Sequence, residues 1–284
     1  MKPPKMTLPL ITLLTFLPIP LAQAQTSHSL SSGKNSNNQP SSEIQFTPPA
    51  LPSRGRPVGR RRGGASRGSC NLAAGQPALT ALIPTSPENN TPLSNQTTVQ
   101  TTEQSNDSAV ETVFSLTAQP YPSFWFFLPY LPNETPLEFV LQDENNNTLY
   151  QQTLSATSNE SGIIQVALPT TAPALEENVP YHWFFIASCD DSNPAFVEGW
   201  TTRVSLENTL PLELNTATSK EQLREQAALY AQNSLWQETL TLIGTSHRNN
   251  PEDPVFLNDW QSLLESAGLS ELVIQPLIDC CEAP

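Results

Sequence analysis

The sequence predicts a mainly β fold, an antiparallel β-sandwich with an α-helical cap at its C-terminal end. Two observations lead to this prediction. Between residues 71 and 207, eight short runs rich in β-branched and aromatic residues are separated by Pro, Asn and Gly, with no helical period between them. Over residues 218–284 the apolar residues instead recur with the 3.6-residue period of a helix. Short strands without intervening helices favour a sandwich over alternating strands and helices.

The first 24 residues have the features of a secretory signal peptide. Lys2 and Lys5 precede an apolar stretch over residues 6–21, and the next three residues read Ala-Gln-Ala, an A-x-A cleavage pattern. The apolar stretch is shorter than the roughly 20 residues that span a bilayer and is broken by prolines, which counts against a signal anchor. The sequence therefore predicts an exported chain, periplasmic or extracellular, that begins at Gln25 and has no transmembrane segment.

A polar linker and a basic segment follow. Residues 25–58 are rich in Ser, Asn, Gln and Pro with almost no apolar periodicity, so we predict a disordered linker. Residues 59–70, GRRRGGASRGSC, are rich in Arg and Gly on a chain of net charge −14. Residues 71–284 hold four basic and 26 acidic residues, a net charge of −22. Because an acidic body repels nucleic acid, we predict no nucleic-acid partner.

Four arginines of the basic segment are candidate binding residues: Arg60, Arg61, Arg62 and Arg67. The guanidinium group of an arginine can bind a carboxylate or phosphate through two parallel hydrogen bonds. Three alternatives are open: docking onto the acidic body of the same chain, binding of an anionic polysaccharide or lipid headgroup, and a solvated spacer. We favour docking within the chain, because Cys70 ends the segment and would tether it by pairing with Cys189.

Export would place the cysteines in an oxidising compartment, so all four are disulfide candidates: Cys70, Cys189, Cys280 and Cys281. A Cys70–Cys189 bridge would close a loop of about 120 residues, worth roughly 4 to 5 kcal/mol in the chain-entropy model. Cys280 and Cys281 would then pair with each other, which is sterically awkward, or with another chain, so a disulfide-linked dimer is a hypothesis. Since the sequence has neither a C-x-x-C pair nor clustered histidines, it predicts no metal site and no cofactor.

The predicted strands are LTALI, VFSLTA, SFWFFLPY, LEFVLQD, TLYQQTL, GIIQVAL, YHWFFIAS and FVEGWTTRVSL. The clearest hairpin joins the fourth and fifth runs, where residues 145–147 are asparagines that tolerate a positive φ. The polar residues 85–108 are interpreted as a mobile insertion in the sandwich. Tyr181, which follows Leu175 and Pro180 at the start of a strand, resembles the tyrosine corner of immunoglobulin-like sandwiches and favours that fold.

Two of the strands are apolar on both faces. In SFWFFLPY and YHWFFIAS, aromatic residues occupy successive positions, so a second layer should cover them, and the C-terminal region can supply it. The first helix of that region is predicted to begin with a capping box of Thr218 and Glu221, the second to cover residues 234–247, and the third to run from the N-cap Asp253 to Gly268. The apolar helix stripes are interpreted as core, with a peptide-binding groove as the alternative.

No catalytic residue is assigned by the sequence. His182 is the only histidine in the sandwich, and Asp190 is near it in sequence, so these two are the nearest catalytic candidates. A paired-carboxylate or calcium site is possible among six residues, although surface solvation is the simpler interpretation: Glu134, Glu138, Asp143, Asp190, Asp191 and Glu198. Neither a G-x-S-x-G, an H-E-x-x-H, a P-loop nor an EF-hand pattern is present.

The motifs GRRRGGASRGSC, LTALIP, SFWFFLPY, LEFVLQDENNNTLY, GIIQVALP, YHWFFIASCD, FVEGWTTRV, YAQNSLWQETL and NDWQSLL resemble the cyanobacterial Domain of Unknown Function family DUF928 over roughly residues 55–284. The resemblance implies an exported protein without an assigned activity, so it transfers no catalytic residue. We therefore predict a non-enzymatic binding or envelope-associated module, whose partner is an envelope protein or an anionic polysaccharide. The alternative is an envelope hydrolase acting on glycan or peptide through a carboxylate pair or His182.

Overall fold

The fold is described from a computed structural model. It covers residues 43–52, 57–63, 77–85, 111–129, 131, 135–155, 160–188, 194–206 and 219–279. The strands are β1 (Val58–Gly59), β2 (Thr80–Ala81), β3 (Glu111–Thr112), β4 (Phe114–Thr117), β5 (Ser123–Leu128), β6 (Pro136–Gln142), β7 (Thr148–Ser155), β8 (Gly162–Ala167), β9 (Pro180–Ala187) and β10 (Ala195–Arg203). The helices are α1 (Lys220–Gln232), α2 (Trp236–Asn249) and α3 (Pro254–Ser266). The predicted mainly β fold with helices near the C-terminus is confirmed, and each of the eight predicted runs contains a strand.

The larger strands form two sheets. One has five strands in the order β4-β10-β9-β6-β7, antiparallel except that β4 and β10 run parallel. The other has three antiparallel strands in the order β2-β5-β8. The strands β1 and β3 pair with each other. Connections between successive long strands are short, which is typical of antiparallel sheets.

Aromatic side chains join the two sheets face to face. Phe126 of β5 stacks on Phe185 of β9 with ring centroids 4.2 Å apart, and Phe124 lies 4.9 Å from Phe139 of β6. Trp183 of β9, which is fully buried, lies within 6 Å of both β5 rings. Burial of such large apolar rings is the main stabilising contribution to a core of this kind.

The helices begin and end at recognisable caps. The N-cap of α1 is Ser219, whose hydroxyl accepts a hydrogen bond from the backbone N–H of Gln222, so the predicted capping box of Thr218 and Glu221 is wrong by one residue. Both pairs have the required spacing, and sequence alone does not separate them. The predicted N-cap of α3 is confirmed, because the Asp253 carboxylate accepts a hydrogen bond from Val255 at 2.9 Å.

The helices cover the outer face of the three-stranded sheet. The Trp125 indole of β5 donates a hydrogen bond to Thr241 of α2 at 3.1 Å, and its ring lies 6.4 Å from that of Trp260 in α3. Gly244 makes this approach possible, since a Cβ there would come within 2.8 Å of the Trp125 ring. The predicted second layer therefore lies over β5. On the outer face of β9, in contrast, Phe184 is only half-buried.

Part of the predicted linker packs into the core. Ile44 and Phe46 are buried, and the Phe46 ring meets Trp236 edge-on at 4.8 Å. The Ile44 carbonyl accepts a hydrogen bond from the hydroxyl of Ser262 at 2.8 Å. Two apolar residues in a polar segment are too few to produce a detectable hydrophobic period, so the predicted linker included them. The signal-peptide prediction and nearly all of the predicted insertion lie outside the described residues.

No helix in the described part of the chain is long and apolar enough to cross a membrane.

Candidate ligand-binding cleft

The described part of the basic segment lies against its own chain. Arg61 is buried, and its guanidinium donates hydrogen bonds to the backbone carbonyls of Ala267 at 2.9 Å and Gly268 at 3.0 Å. A third hydrogen bond goes to the carbonyl of Ile83 at 3.3 Å. Ala267 and Gly268 follow the last turn of α3, where unpaired carbonyls and the helix dipole favour a cation. Burial lowers the pKa of Arg61 below its ordinary value.

The neighbouring arginines make weaker, more exposed contacts. The Arg60 guanidinium lies over the Phe196 ring, 4.6 Å from its centroid. Arg62 forms a salt bridge with Glu271, in which both side chains are substantially exposed. Other residues predicted for binding, catalysis or disulfide formation lie outside the described residues: Arg67, Cys70, Cys189, Asp190, Cys280 and Cys281.

His182 lies on the outer face of the five-stranded sheet. Its ring is stacked on Trp200 of β10 with centroids 4.3 Å apart. The His182 Nε2 atom is 3.2 Å from the Glu198 carboxylate, but neither ring nitrogen has an aligned hydrogen-bond partner among the described residues. A hydrolytic triad needs a nucleophile and an orienting acceptor bonded to the two ring nitrogens. The described surroundings of His182 do not supply that pair.

The predicted carboxylates are held by local contacts. Asp143 accepts hydrogen bonds from the side-chain amide of Asn147 at 2.8 Å and from the backbone N–H groups of Asn147 at 2.9 Å and Asn145 at 2.8 Å. These bonds close the β6–β7 hairpin and, the side-chain bond most of all, hold the pKa of Asp143 below its ordinary value. Glu138 accepts a hydrogen bond from Gln151 on the adjacent strand. Glu134 and Asp191 lie outside the described residues. No group of three or more His, Cys, Asp or Glu side chains within the described ranges is arranged to hold a metal ion.

A cleft of about 370 Å³ opens between the segment that precedes β5 and the helices α1 and α2. Its lining residues are Gln119, Tyr121, Pro122, Ser123, Gln226, Tyr230, Gln237, Glu238, Thr241, Leu242 and Thr245. They are mostly amides, hydroxyls and tyrosines, and none of these described lining residues is basic. Such a volume lies within the ~300–1,000 Å³ typical of small-molecule sites.

Glu238 is the only acidic residue among those lining residues, and it is buried. It lies in the first turn of α2, where its Oε1 atom accepts hydrogen bonds from the Thr117 hydroxyl at 2.6 Å and from the backbone N–H groups of Ala118 at 2.7 Å and Gln119 at 3.1 Å. The Oε2 atom is buried and has no hydrogen-bond partner in the described part of the chain. Burial raises the pKa of Glu238 despite the three hydrogen bonds, which favours the neutral acid.

Gln237, the residue before Glu238, also has one hydrogen-bonded side-chain atom and one buried atom without a partner in the described ranges. Gln237 donates a hydrogen bond through its Nε2 atom to the Ser115 hydroxyl at 2.6 Å, while its buried Oε1 atom is without a partner in the described ranges. On the α1 side, Gln226 donates to the Tyr230 hydroxyl at 2.8 Å. Burial raises the pKa of Tyr230, so its hydroxyl stays protonated. The cleft is therefore polar, and burial favours the neutral forms of Glu238 and Tyr230.

None of the described residues that the sequence singled out as site candidates lines this cleft. Glu238 and Gln237 were missed because an acidic residue in the first turn of a helix is ordinary, where it complements the helix dipole. Their partners lie on β4 and on the two residues that follow it, so only the tertiary fold distinguishes them. The one local signal was their position in a predicted helix beside Trp236, which is buried.

The comparisons with known proteins agree with the resemblance found in the sequence. The family model described as Domain of Unknown Function (DUF928) matches residues 62–277. Comparison with curated proteins and with solved structures finds no match. The cyanobacterial origin stays a prediction.

Proposed function

We infer that this chain, which belongs to the Domain of Unknown Function (DUF928) family, is a binding module whose ligand occupies the cleft. The supporting observation is the pair of buried oxygens, Glu238 Oε2 and Gln237 Oε1, which have no hydrogen-bond partners among the described residues. Buried polar atoms in folded proteins are hydrogen-bonded in the large majority of cases. Both oxygens belong to residues that line the cleft, so an external polar group that reaches them there would be stabilised.

The lining favours an uncharged glycan as the ligand. Tyr121, which is half-buried, supplies a ring against which the apolar face of a sugar can pack, and the exposed Gln119 supplies an amide for hydroxyl groups. The neutral form of Glu238 adds one O–H donor. An anionic polysaccharide is disfavoured here, because none of the described lining residues carries a positive charge.

The alternative function is that of a hydrolase, and one feature of the cleft, the Glu238 carboxyl group, fits it. A buried carboxyl group with a raised pKa is the form that a general acid takes. Glycoside hydrolysis, however, generally uses two carboxyl groups, and Glu238 is the only acidic residue in the described lining. Binding without turnover is therefore the function that this geometry supports better.

Localisation outside the cytoplasm is part of the same proposal. The predicted signal peptide would deliver the protein to the periplasm or the exterior, where envelope glycans are available as ligands. N-terminal sequencing of the protein from a periplasmic fraction tests this. A chain that retains its first 24 residues in the cytoplasm would contradict it.

We also propose that the sandwich is immunoglobulin-like. Tyr181 supports this, because its hydroxyl accepts a hydrogen bond at 2.8 Å from the backbone N–H of Glu176, five residues upstream, as in a tyrosine corner. The five-stranded sheet, in which β10 lies between β9 and β4, supports it as well. A crystal structure with a different strand order would contradict this assignment.

Saturation-transfer NMR on the mature protein, with a panel of neutral and acidic oligosaccharides, tests the proposed ligand. We expect binding of a neutral oligosaccharide and at least a tenfold weaker affinity in Tyr121→Ala, since stacking against one ring is worth roughly 1.4 kcal/mol. Phe184→Ala, which removes a half-buried ring from the outer face of β9, is the matched control. Preference for acidic sugars, or binding unaffected by Tyr121→Ala, would contradict the proposal, whereas release of shorter products would establish a hydrolase.

A further inference from the structure

A second functional surface lies at the edge of the five-stranded sheet, away from the cleft residues. We propose that β7 pairs antiparallel with β7 of a second copy of this chain, so that two five-stranded sheets join into one sheet across a dimer. This proposal does not depend on the ligand of the cleft. It follows from a comparison of the four edges of the two larger sheets in the described part of the chain.

Three of those edges are covered by other parts of the same chain. At β2, the backbone N–H of Ala81 donates to the carbonyl of Arg61 at 2.8 Å. At β8, Ile163 donates to the carbonyl of Pro276 at 2.7 Å and accepts from Ile278 at 3.0 Å. The edge at β4 is met by the residue before α2, in a bridge between Leu116 and Leu235. Covering an edge in this way removes its unpaired N–H and C=O groups as a template for other chains.

The fourth edge, at β7, has no such cover among the described residues. There β7 pairs with β6 on one side, and no backbone bridge from another described residue reaches its other side. A register shift near Leu141 leaves residues 150–155 as a regular edge. Six residues are a common strand length and enough for strand-to-strand pairing.

The composition of β7 favours association. Natural edge strands are usually protected by Lys, Pro or inward-pointing charges. The sequence TLYQQTLS contains no charged residue and no proline, although the chain as a whole has a net charge of −14. The exposed Gln151 and Thr153 are an amide and a hydroxyl, and the carboxylate beside them, Glu138 of β6, is hydrogen-bonded to Gln151. A neutral strand on an acidic protein lets two copies approach without direct repulsion at the contact, and an antiparallel pair of identical strands closes with two-fold symmetry.

Sedimentation equilibrium of the mature chain in a reducing buffer tests the proposal, since the reductant removes any dimer linked through cysteines. We expect a concentration-dependent dimer that tightens when the salt concentration rises from 50 to 500 mM, because salt screens the repulsion between two acidic copies. Thr153→Lys should weaken the dimer at least tenfold, because a lysine on an edge strand is one of the features by which natural sheets resist edge-to-edge pairing. Thr171→Lys, an exposed threonine in a turn, is the matched control and should leave the dimer intact.

Hydrogen exchange on the wild-type chain supplies an independent measurement if Thr153→Lys fails to fold. We expect the β7 amides to be protected at concentrations where the dimer forms and to exchange faster on dilution. A monomer at all concentrations overturns the proposal, and so does a dimer that Thr153→Lys leaves unchanged. Protection of β7 that persists in a dilute monomer also overturns it, since another segment of the same chain would then cover the edge.

Discussion

Two buried ionisable side chains in this molecule have opposite surroundings. Arg61 lies beneath the end of α3, where three backbone carbonyls accept hydrogen bonds from its guanidinium nitrogens. Glu238 lies at the cleft, where one carboxylate oxygen accepts three hydrogen bonds and the other has no partner in the described chain. This difference separates a buried ionisable side chain that stabilises the fold from one that is available to a ligand. The fold supplies carbonyl acceptors for both terminal guanidinium nitrogens of Arg61, and the Arg61 Nε atom lies 3.7 Å from the Glu111 carboxylate without an aligned hydrogen bond. The Oε2 atom of Glu238 has neither a hydrogen bond nor a charged partner among the described residues.

The largest effect is expected from Arg61→Ala. The substitution leaves three carbonyls without a donor and opens space beneath α3, and hydrogen bonds to a charged group are worth about 1.5 to 3 kcal/mol each. Allowing for water that reaches the site, the free energy of unfolding should fall by about 3 kcal/mol, measured by urea denaturation. Arg61→Lys keeps the positive charge but not the planar set of guanidinium donors, so its free energy of unfolding should lie between those of wild type and Arg61→Ala. A loss below 1 kcal/mol would mean that the contacts beneath α3 do not hold the segment in place.

The next effect concerns the pH dependence of stability in Glu238→Gln. Because the folded pKa of Glu238 is raised, its neutral form stabilises the fold below the unfolded pKa, and that contribution is lost as the pH rises toward the folded pKa. Glutamine has nearly the same shape as glutamic acid but does not ionise, so Glu238→Gln does not lose this stability as the pH rises. Relative to wild type, Glu238→Gln should therefore gain stability above a pH of about 4.3, by at most about 1.4 kcal/mol per pH unit until the folded pKa is reached.

Thermal unfolding of wild type and Glu238→Gln between pH 4 and 8 measures this difference. Glu265→Gln, an exposed position on α3, is the matched control and should show a flat difference across the same range. A flat difference for Glu238→Gln as well would mean that the carboxyl group is ionised in the folded protein, and the neutral, glycan-binding character of the cleft would fail with it.

Sequence reasoning succeeded where the determining contacts are local. Eight of the ten described strands were found from runs of β-branched and aromatic residues bounded by turn residues, and the N-cap of α3 from Asp253 followed by Pro254. It failed where partners are distant along the chain. Glu238 is bonded to Thr117, 121 residues earlier, and no local pattern connects them. Ile44 and Phe46 were assigned to a linker for the same reason, since only α2 and α3 give them a place to pack.

The smallest effect is expected beside the largest one, at Arg62. Its salt bridge with Glu271 joins two side chains that are 46% and 39% exposed, and exposed ion pairs contribute about 0 to 1 kcal/mol. Arg62→Ala should therefore lower the free energy of unfolding by less than 1 kcal/mol, and 0.5 M salt should remove most of that difference. If Arg62→Ala instead equals Arg61→Ala in the same urea experiment, the basic segment is held by its charge as a whole. The buried fork of Arg61 would then not be the anchor, and the contrast with Glu238 would lose its basis.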